Sequence, residues 1–372
     1  MLLHSTFHTS AFYILFFSAL SLRAYADPAP VPEAVMKAVY EEVKTPYKYG
    51  LVMLPEDSSK KLDCPTVFYG DSAWYMSYVV FDGSGYETWL ARSGNLLEWK
   101  TLGRLLSFTP DGWDARQKAG YLALQDYAWG GSYALQTFDG RRWMSYFGGD
   151  AEGYEAGALS IGMACTGDSA TVPHEWQRLP NPVLTPADAD VRWWENRKLY
   201  KSTVIWDKEK TTGYPFVMYY NANGDTTGNK RLRWFERIGM AVSDDMRSWK
   251  RLGAEPVMAH SRGITGDAVI QKIGDVFVMF YFGAFWEGRE EEAFNSFACS
   301  YDLVRWTDWT GDMLIAPSEP YDELYAHKPC VLKHNGVVYH FYNAVDKNQR
   351  RGIALATSKD LGKSALRHSA AP

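Results

Sequence analysis

Two aspartates stand where an apolar strand should begin. Asp63 opens the run Asp63-Cys-Pro-Thr-Val-Phe68, and Asp267 opens Asp267-Ala-Val-Ile270. A charge at the mouth of a buried strand is costly unless it is paired or used. Two carboxyl groups across one cleft can divide acid and base work: one protonates a leaving oxygen while the other activates water. Basic groups recur at related places, as His327-Lys328 before Pro329 and as Tyr200-Lys201 before Ser202. Such cations hold one carboxyl ionised while burial raises another.

The elements that must position these residues repeat. One strand-like segment occurs five times, centred on Met76, Met144, Met218, Met279 and His340, at spacings of 68, 74, 61 and 61. A second follows each: Leu90-Ala-Arg-Ser93, Met163-Ala-Cys-Thr166, Met240-Ala-Val-Ser243, Phe297-Ala-Cys-Ser300 and Leu355-Ala-Thr-Ser358. After three of these comes Ser-x-Asn/Asp-Leu/Met-x-x-Trp, ending at Trp99, Trp249 and Trp306. Those tryptophans read as packing anchors between units. Four short strands in each of five units predict an all-β, five-bladed β-propeller with antiparallel blades. The last unit lacks a fourth strand, and a ring leaves no open edge. Residues 49–54 are therefore expected to supply it, after a short helix over residues 31–45.

Counting back from the second strands predicts the ring of residues at the channel mouth. It contains Asp63, Gly131 or Ser132, Tyr200 or Lys201, Asp267, and His327 or Lys328. Two long segments are expected to frame it. Residues 107–131 carry Trp113, Asp114, Gln117, Gln125, Asp126 and Trp129; residues 190–200 carry Trp193, Trp194, Glu195 and Arg197. Trp286 is a further wall. Indole faces and amides suit sugar rings and hydroxyls.

Composition bounds the function. Aromatics make up 15% of the 372 residues, which favours strands and sugar-stacking surfaces. A net charge of −5 with mixed signs argues against nucleic-acid binding through overall positive charge. The apolar run from Phe12 to Leu22, followed by Ala24-Tyr25-Ala26, reads as a signal peptide over residues 1–26, too short to span a bilayer. The expectation is export to the periplasm or exterior, with a lead-in over 27–46, a single propeller domain over 47–372 and no membrane span. The four cysteines form no C-x-x-C motif, and their places in the repeat predict four free thiols.

With this export signal, the five repeats and an Asp opening the first inner strand, the chain resembles the five-bladed propeller glycosidases of glycoside hydrolase families 43, 32 and 130. The resemblance covers nearly all of the expected mature chain. It implies Asp63 as general base and Asp267 as general acid, although Glu is usual at the latter position. The Asp that orients the acid from the third blade is not matched, and Glu195 is the nearest substitute. The family 32 signature is absent, since Cys-Pro follows Asp63. The resemblance implies hydrolysis of an oligosaccharide or polysaccharide, with inversion if the carboxyl groups are widely spaced. Arabinosides, fructosides, xylosides and mannosides are all handled on this scaffold. It implies no required cofactor, and a water or Ca²⁺ beside His327. Two alternatives stand beside it: a mannoside-type phosphorylase or hydrolase, and a non-catalytic glycan-binding propeller.

Overall fold

The computed structural model describes residues 30–224 and 235–368; the expected signal peptide lies outside them. Described residues form one helix, α1 (Glu33–Val43), and twenty strands. The strands pair as five antiparallel sets of four. The first set is β2 (Lys61–Gly70), β3 (Ala73–Phe81), β4 (Tyr86–Ser93) and β5 (Lys100–Leu106). The second is β6 (Gln117–Leu122), β7 (Arg142–Gly149), β8 (Ser160–Thr166) and β9 (Gln177–Arg178). The third is β10 (Lys198–Trp206), β11 (Phe216–Asn223), β12 (Glu236–Ser243) and β13 (Lys250–Arg251). The fourth is β14 (Ile264–Ile273), β15 (Val276–Trp286), β16 (Arg289–Ser300) and β17 (Thr307–Asp308). The fifth is β18 (Tyr325–His334), β19 (Val337–Val345), β20 (Arg351–Thr357) and the N-terminal β1 (Tyr47–Met53). By continuous pairing they make one twelve-stranded and one eight-stranded sheet.

The second strand of each set is buried along its whole length, apart from the ends of β7 and β15. Covered on both faces, it needs an apolar run rather than alternation, which is why the Met-centred segments are legible as repeats. The third motif is a built turn. Ser93 Oγ accepts the Leu96 N–H at 2.9 Å, and Asn95 Oδ1 accepts the N–H groups of Leu97 and Glu98. Leu96 sits at φ 67° with its side chain in the core, and Trp99 Nε1 donates to its carbonyl at 3.2 Å. Met246 and Trp249 repeat the arrangement, with φ 64° and the same 3.2 Å bond. The tryptophans thus lock turns and pack against the core.

The helix is shorter than expected at both ends, and its Met36, Val39 and Val43 pack on the fourth and fifth sets. Strand β1 begins two residues earlier and ends one earlier than expected. It pairs with β20 through Leu51 opposite Ala354 and Met53 opposite Ile353.

The second set departs from the expected count. Its inner strand is β6, inside the segment expected to be a loop, and Gly131 and Ser132 lie in the long connection between β6 and β7. The hairpins of the first, fourth and fifth sets turn in two residues, so counting back from β7 by their length overshoots. Register also corrects the third and fourth sets. Each inner strand except β6 carries a bulge: between Asp63 and Thr66, Leu199 and Ser202, Gly266 and Val269, and His327 and Cys330. Asp63 is therefore equivalent to Leu199, Gly266 and His327. Asp267 and Tyr200 stand one residue further on, in the place of Cys64 and Lys328.

Two outcomes test this architecture. All four cysteines are free and buried, so thiol titration under denaturing, non-reducing conditions should find four groups; two or none would contradict it. Leu51 is wholly buried against Ala354 and Tyr342. Leu51→Ala should therefore lower unfolding free energy by about 2–5 kcal/mol in a denaturant titration, whereas a detached arm would cost almost nothing.

Candidate active site

The first and third strands of each set run in the same direction, so their starts gather at one end. Third-strand starts bridge to the next inner strand at one repeated position: Tyr86 to Gln117, Leu159 to Lys198, Glu236 to Ile264 and Ala293 to Tyr325. The fifth equivalent is Arg351, whose guanidinium reaches Asp63 on β2 at 2.6 Å. These strand starts surround a cavity of about 550 Å³.

Of the residues expected at the mouth, Asp63, Tyr200, Lys201, Asp267, His327 and Lys328 line the cavity. The others do not. Glu195 is fully buried in a closed cluster, with Arg192 at 2.8 Å, Arg251 at 2.6 Å and the Tyr220 hydroxyl at 2.6 Å. Trp194 is in the core and donates its indole N–H to the Ala254 carbonyl. Trp113 stacks on Tyr146, and Trp129 bonds Glu42 while stacking on Phe280. Asp126 caps its own loop through Ser132 and Ala128. Trp286 stacks on His260 at 3.5 Å and donates to the Ile264 carbonyl. Flat aromatic faces are as useful for packing strands as for stacking sugars, and here packing took them.

Asp63 is 2% exposed and saturated with donors. Oδ2 accepts from Lys328 Nζ at 2.9 Å and Arg351 Nη1 at 2.6 Å. Oδ1 accepts from the Cys64 N–H at 3.0 Å and, with the Asn343 amide nitrogen facing it, from Asn343 at 3.0 Å. Burial alone would raise its pKa, but Lys328 and Arg351 outweigh it and hold the carboxyl well below the usual range. Burial and the neighbouring Lys328 push His327 down to about 3, leaving the ring neutral.

Asp267 lies across the cavity floor. The thiol of Cys64 is 3.6 Å from Asp63 Oδ1 and 3.6 Å from Asp267 Oδ2, so the two carboxyl groups approach within about 7 Å. Asn221 accepts the Asp267 N–H at 2.7 Å and donates to Oδ1 at 2.9 Å. Gly266 permits this approach, because a Cβ there would meet the Asn221 amide at 2.2 Å. Lys201 Nζ is 3.8 Å from Asp267.

Sequence reasoning missed two further carboxyl groups on the cavity wall, Glu155 and Glu236. Glu236 starts β12, and Glu155 lies in the connection from β7 to β8, at φ 48°. Burial, with Glu155 and Asp267 nearby, pushes Glu236 up to about 8. Glu155 is raised by burial and partly drawn back by Lys328 and Arg351. The signal was present in the repeat. Counting four residues back from Leu90, Met240 and Leu355 lands on Tyr86, Glu236 and Arg351. Glu155 carries no such register.

Among the described residues no group of three or more His, Cys, Asp or Glu is placed to hold a metal. His327 faces the Asn343 carbonyl and has Lys328 beside it, a poor setting for Ca²⁺, and no step below is routed through a cation.

No family model and no curated protein matches the sequence. Solved structures do. One described as "Glycoside hydrolase" is 54% identical, covers 91% of this chain and 99% of its own, and has a TM-score of 0.88. The protein belongs to the glycoside hydrolases. A second structure, described as a complex of BT0996 with RGII, is 55% identical over 91% of this chain and 98% of its own, with a TM-score of 0.87. A "thermostable family-43 glycoside hydrolase" shares the fold alone, at 14% identity over 86% of this chain and 97% of its own, with a TM-score of 0.58. This glycosidase is thus nearly all-β and of the propeller type that the repeats predicted.

Asp63→Asn should expose the role of the ion cluster. Leaving Lys328 and Arg351 buried without their carboxylate should cost about 3–5 kcal/mol at neutral pH. Because the folded pKa is depressed, the wild-type advantage is present above the unfolded value of about 3.9. It is lost as pH falls through the still lower folded value. Denaturant titrations at several pH values should show a constant gap down to about pH 4 that narrows below; equal stability at neutral pH would contradict the pairing.

Proposed function

We propose that the protein is an exported hydrolase whose reacting carboxyl pair is Glu155 and Glu236, in a funnel at one end of a closed five-bladed ring. The observation carrying this is that both line the cavity with raised pKa values, and neither forms an ion pair with a described residue. An efficient acid or base titrates near the working pH. Asp63 is bound by four donors and stays ionised, so it has neither a proton to give nor a lone pair ready to take one. Asp63 and Asp267 serve as fixed acceptors that orient Lys328, Arg351, Lys201 and Asn221 toward the substrate. Glu236, protonated at neutral pH, donates to the leaving oxygen. Glu155, beside two cations, supplies the ionised carboxylate that the second half of the reaction needs. The ring reading rests on the five four-stranded sets and on the Arg351–Asp63 contact joining the last set to the first.

The substrate proposed is a glycan of the kind named in the 55% identical complex, RGII. Export rests on the Phe12–Leu22 run and the Ala24-Tyr25-Ala26 site.

Glu155→Gln and Glu236→Gln should each remain folded and lose about 10²- to 10⁴-fold in kcat. In the wild type kcat/KM should fall as pH rises past about 8, where Glu236 loses its proton. Glu236→Gln should lack that limb and recover partly on an aryl glycoside whose leaving group needs no protonation. Full activity of either variant on the glycan would overturn the assignment.

A further inference from the structure

The cavity holds more positive charge than its carboxylates balance. Its wall carries Arg197, Lys198, Lys201, Lys328 and Arg351. Against them stand Asp63, Asp267, Glu155 and Glu236, of which Glu236 is protonated at neutral pH through its raised pKa. The protein as a whole carries −5, so a positive funnel is opposite in sign to its carrier. Such a funnel concentrates anions.

The cations differ in what they already hold. Lys328 and Arg351 are taken by Asp63. Lys198 Nζ donates to the Glu155 carbonyl. Lys201 is 3% exposed and lies 3.8 Å from Asp267, yet among the described residues its ammonium finds no hydrogen-bond acceptor. At the rim the Arg197 guanidinium, just before β10, forms no hydrogen bond or ion pair with a described residue; only its backbone N–H is engaged, by the Asn223 carbonyl at 3.1 Å. A planar fork of donors facing a cavity in this way matches a carboxylate in geometry and charge. Lys201 lies four residues along the same strand, toward the floor, where a ligand oxygen would satisfy its buried ammonium.

We propose that this site selects acidic glycans, with Arg197 receiving a sugar carboxylate at the rim and Lys201 a sugar oxygen at the floor. The proposal rests on the glycosidase reading and narrows its substrate to sugars bearing a carboxylate near the cleaved bond.

The test uses acidic oligosaccharides released from pectin and the same pool after chemical reduction of its carboxyl groups to alcohols. Wild-type protein should release sugar from the acidic pool with a kcat/KM about 10- to 100-fold higher than from the reduced pool. Arg197→Gln should bring that ratio close to one, and Arg197→Lys should restore part of it. The preference should shrink as salt rises. Calorimetric binding to both pools reads the same preference without turnover. If neither pool is hydrolysed, tighter binding of the acidic pool that Arg197→Gln abolishes still supports the inference, while the hydrolytic reading fails. Equal binding of the two pools by wild-type protein, or a preference unchanged in Arg197→Gln, overturns it.

Discussion

The carboxylate of Asp63 is the constraint around which the site is arranged. It joins β2 of the first set to Lys328 on β18 and Arg351 on β20 of the last, with bonds of 2.9 and 2.6 Å. A buried ion cluster of this kind is poor evidence for raw stability, because desolvation of three charges offsets much of the attraction. Its use is geometric. It joins the first and last strand sets at the mouth of the cavity and fixes two cations beside Glu155. Their field draws down the Glu155 carboxyl, while Glu236, further from them, keeps its proton. Two chemically similar groups are thereby given different protonation states by their neighbours alone.

The β-bulges supply the second half of the arrangement. Cys64, Asp267 and Lys328 all sit at positive φ, at 49°, 57° and 59°. A residue in that conformation turns its side chain out of the regular alternation of the strand. Strands that must be apolar for packing can then deliver one polar group each into the funnel. Backbone strain at sites of this kind is stored where the surroundings over-determine it. The Asn221 bonds to both the N–H and the carboxylate of Asp267 are such surroundings.

Much of the fold was legible because its packing needs repeat. Every second strand is covered on both faces, and every Ser-x-Asx-Leu-x-x-Trp turn needs the same cap, so the residue types recur at matching places. The strand supplied by the N-terminus followed from a missing edge. The second set was misplaced because the connection from β6 to β7 is long where other hairpins are tight. The site was legible only in part. Asp63, Lys201, Asp267, His327 and Lys328 stand at inner-strand starts, which the repeat locates to within one residue; the bulges cost that residue for Asp267. Glu236 and Arg351 were hidden because attention to inner strands ignored the third strands, whose starts reach the same end. Glu155 lies in a loop, where no periodicity constrains identity. The tryptophans misled for a physical reason: an indole looks the same in sequence whether it stacks on a sugar or on Tyr146.

The central claim is that burial and fixed cations divide the cavity's carboxyl groups into a permanently ionised Asp63 and a protonated Glu236. Carbon-detected NMR of protein labelled at the side-chain carboxyls, assigned with Asp63→Asn and Glu236→Gln, measures this directly. The account predicts that the Glu236 signal titrates near pH 8 and that the Asp63 signal stays at its ionised position down to the pH at which the fold is lost. A Glu236 signal titrating near the ordinary value of about 4.3, or an Asp63 signal titrating between about pH 4 and 7, would contradict it.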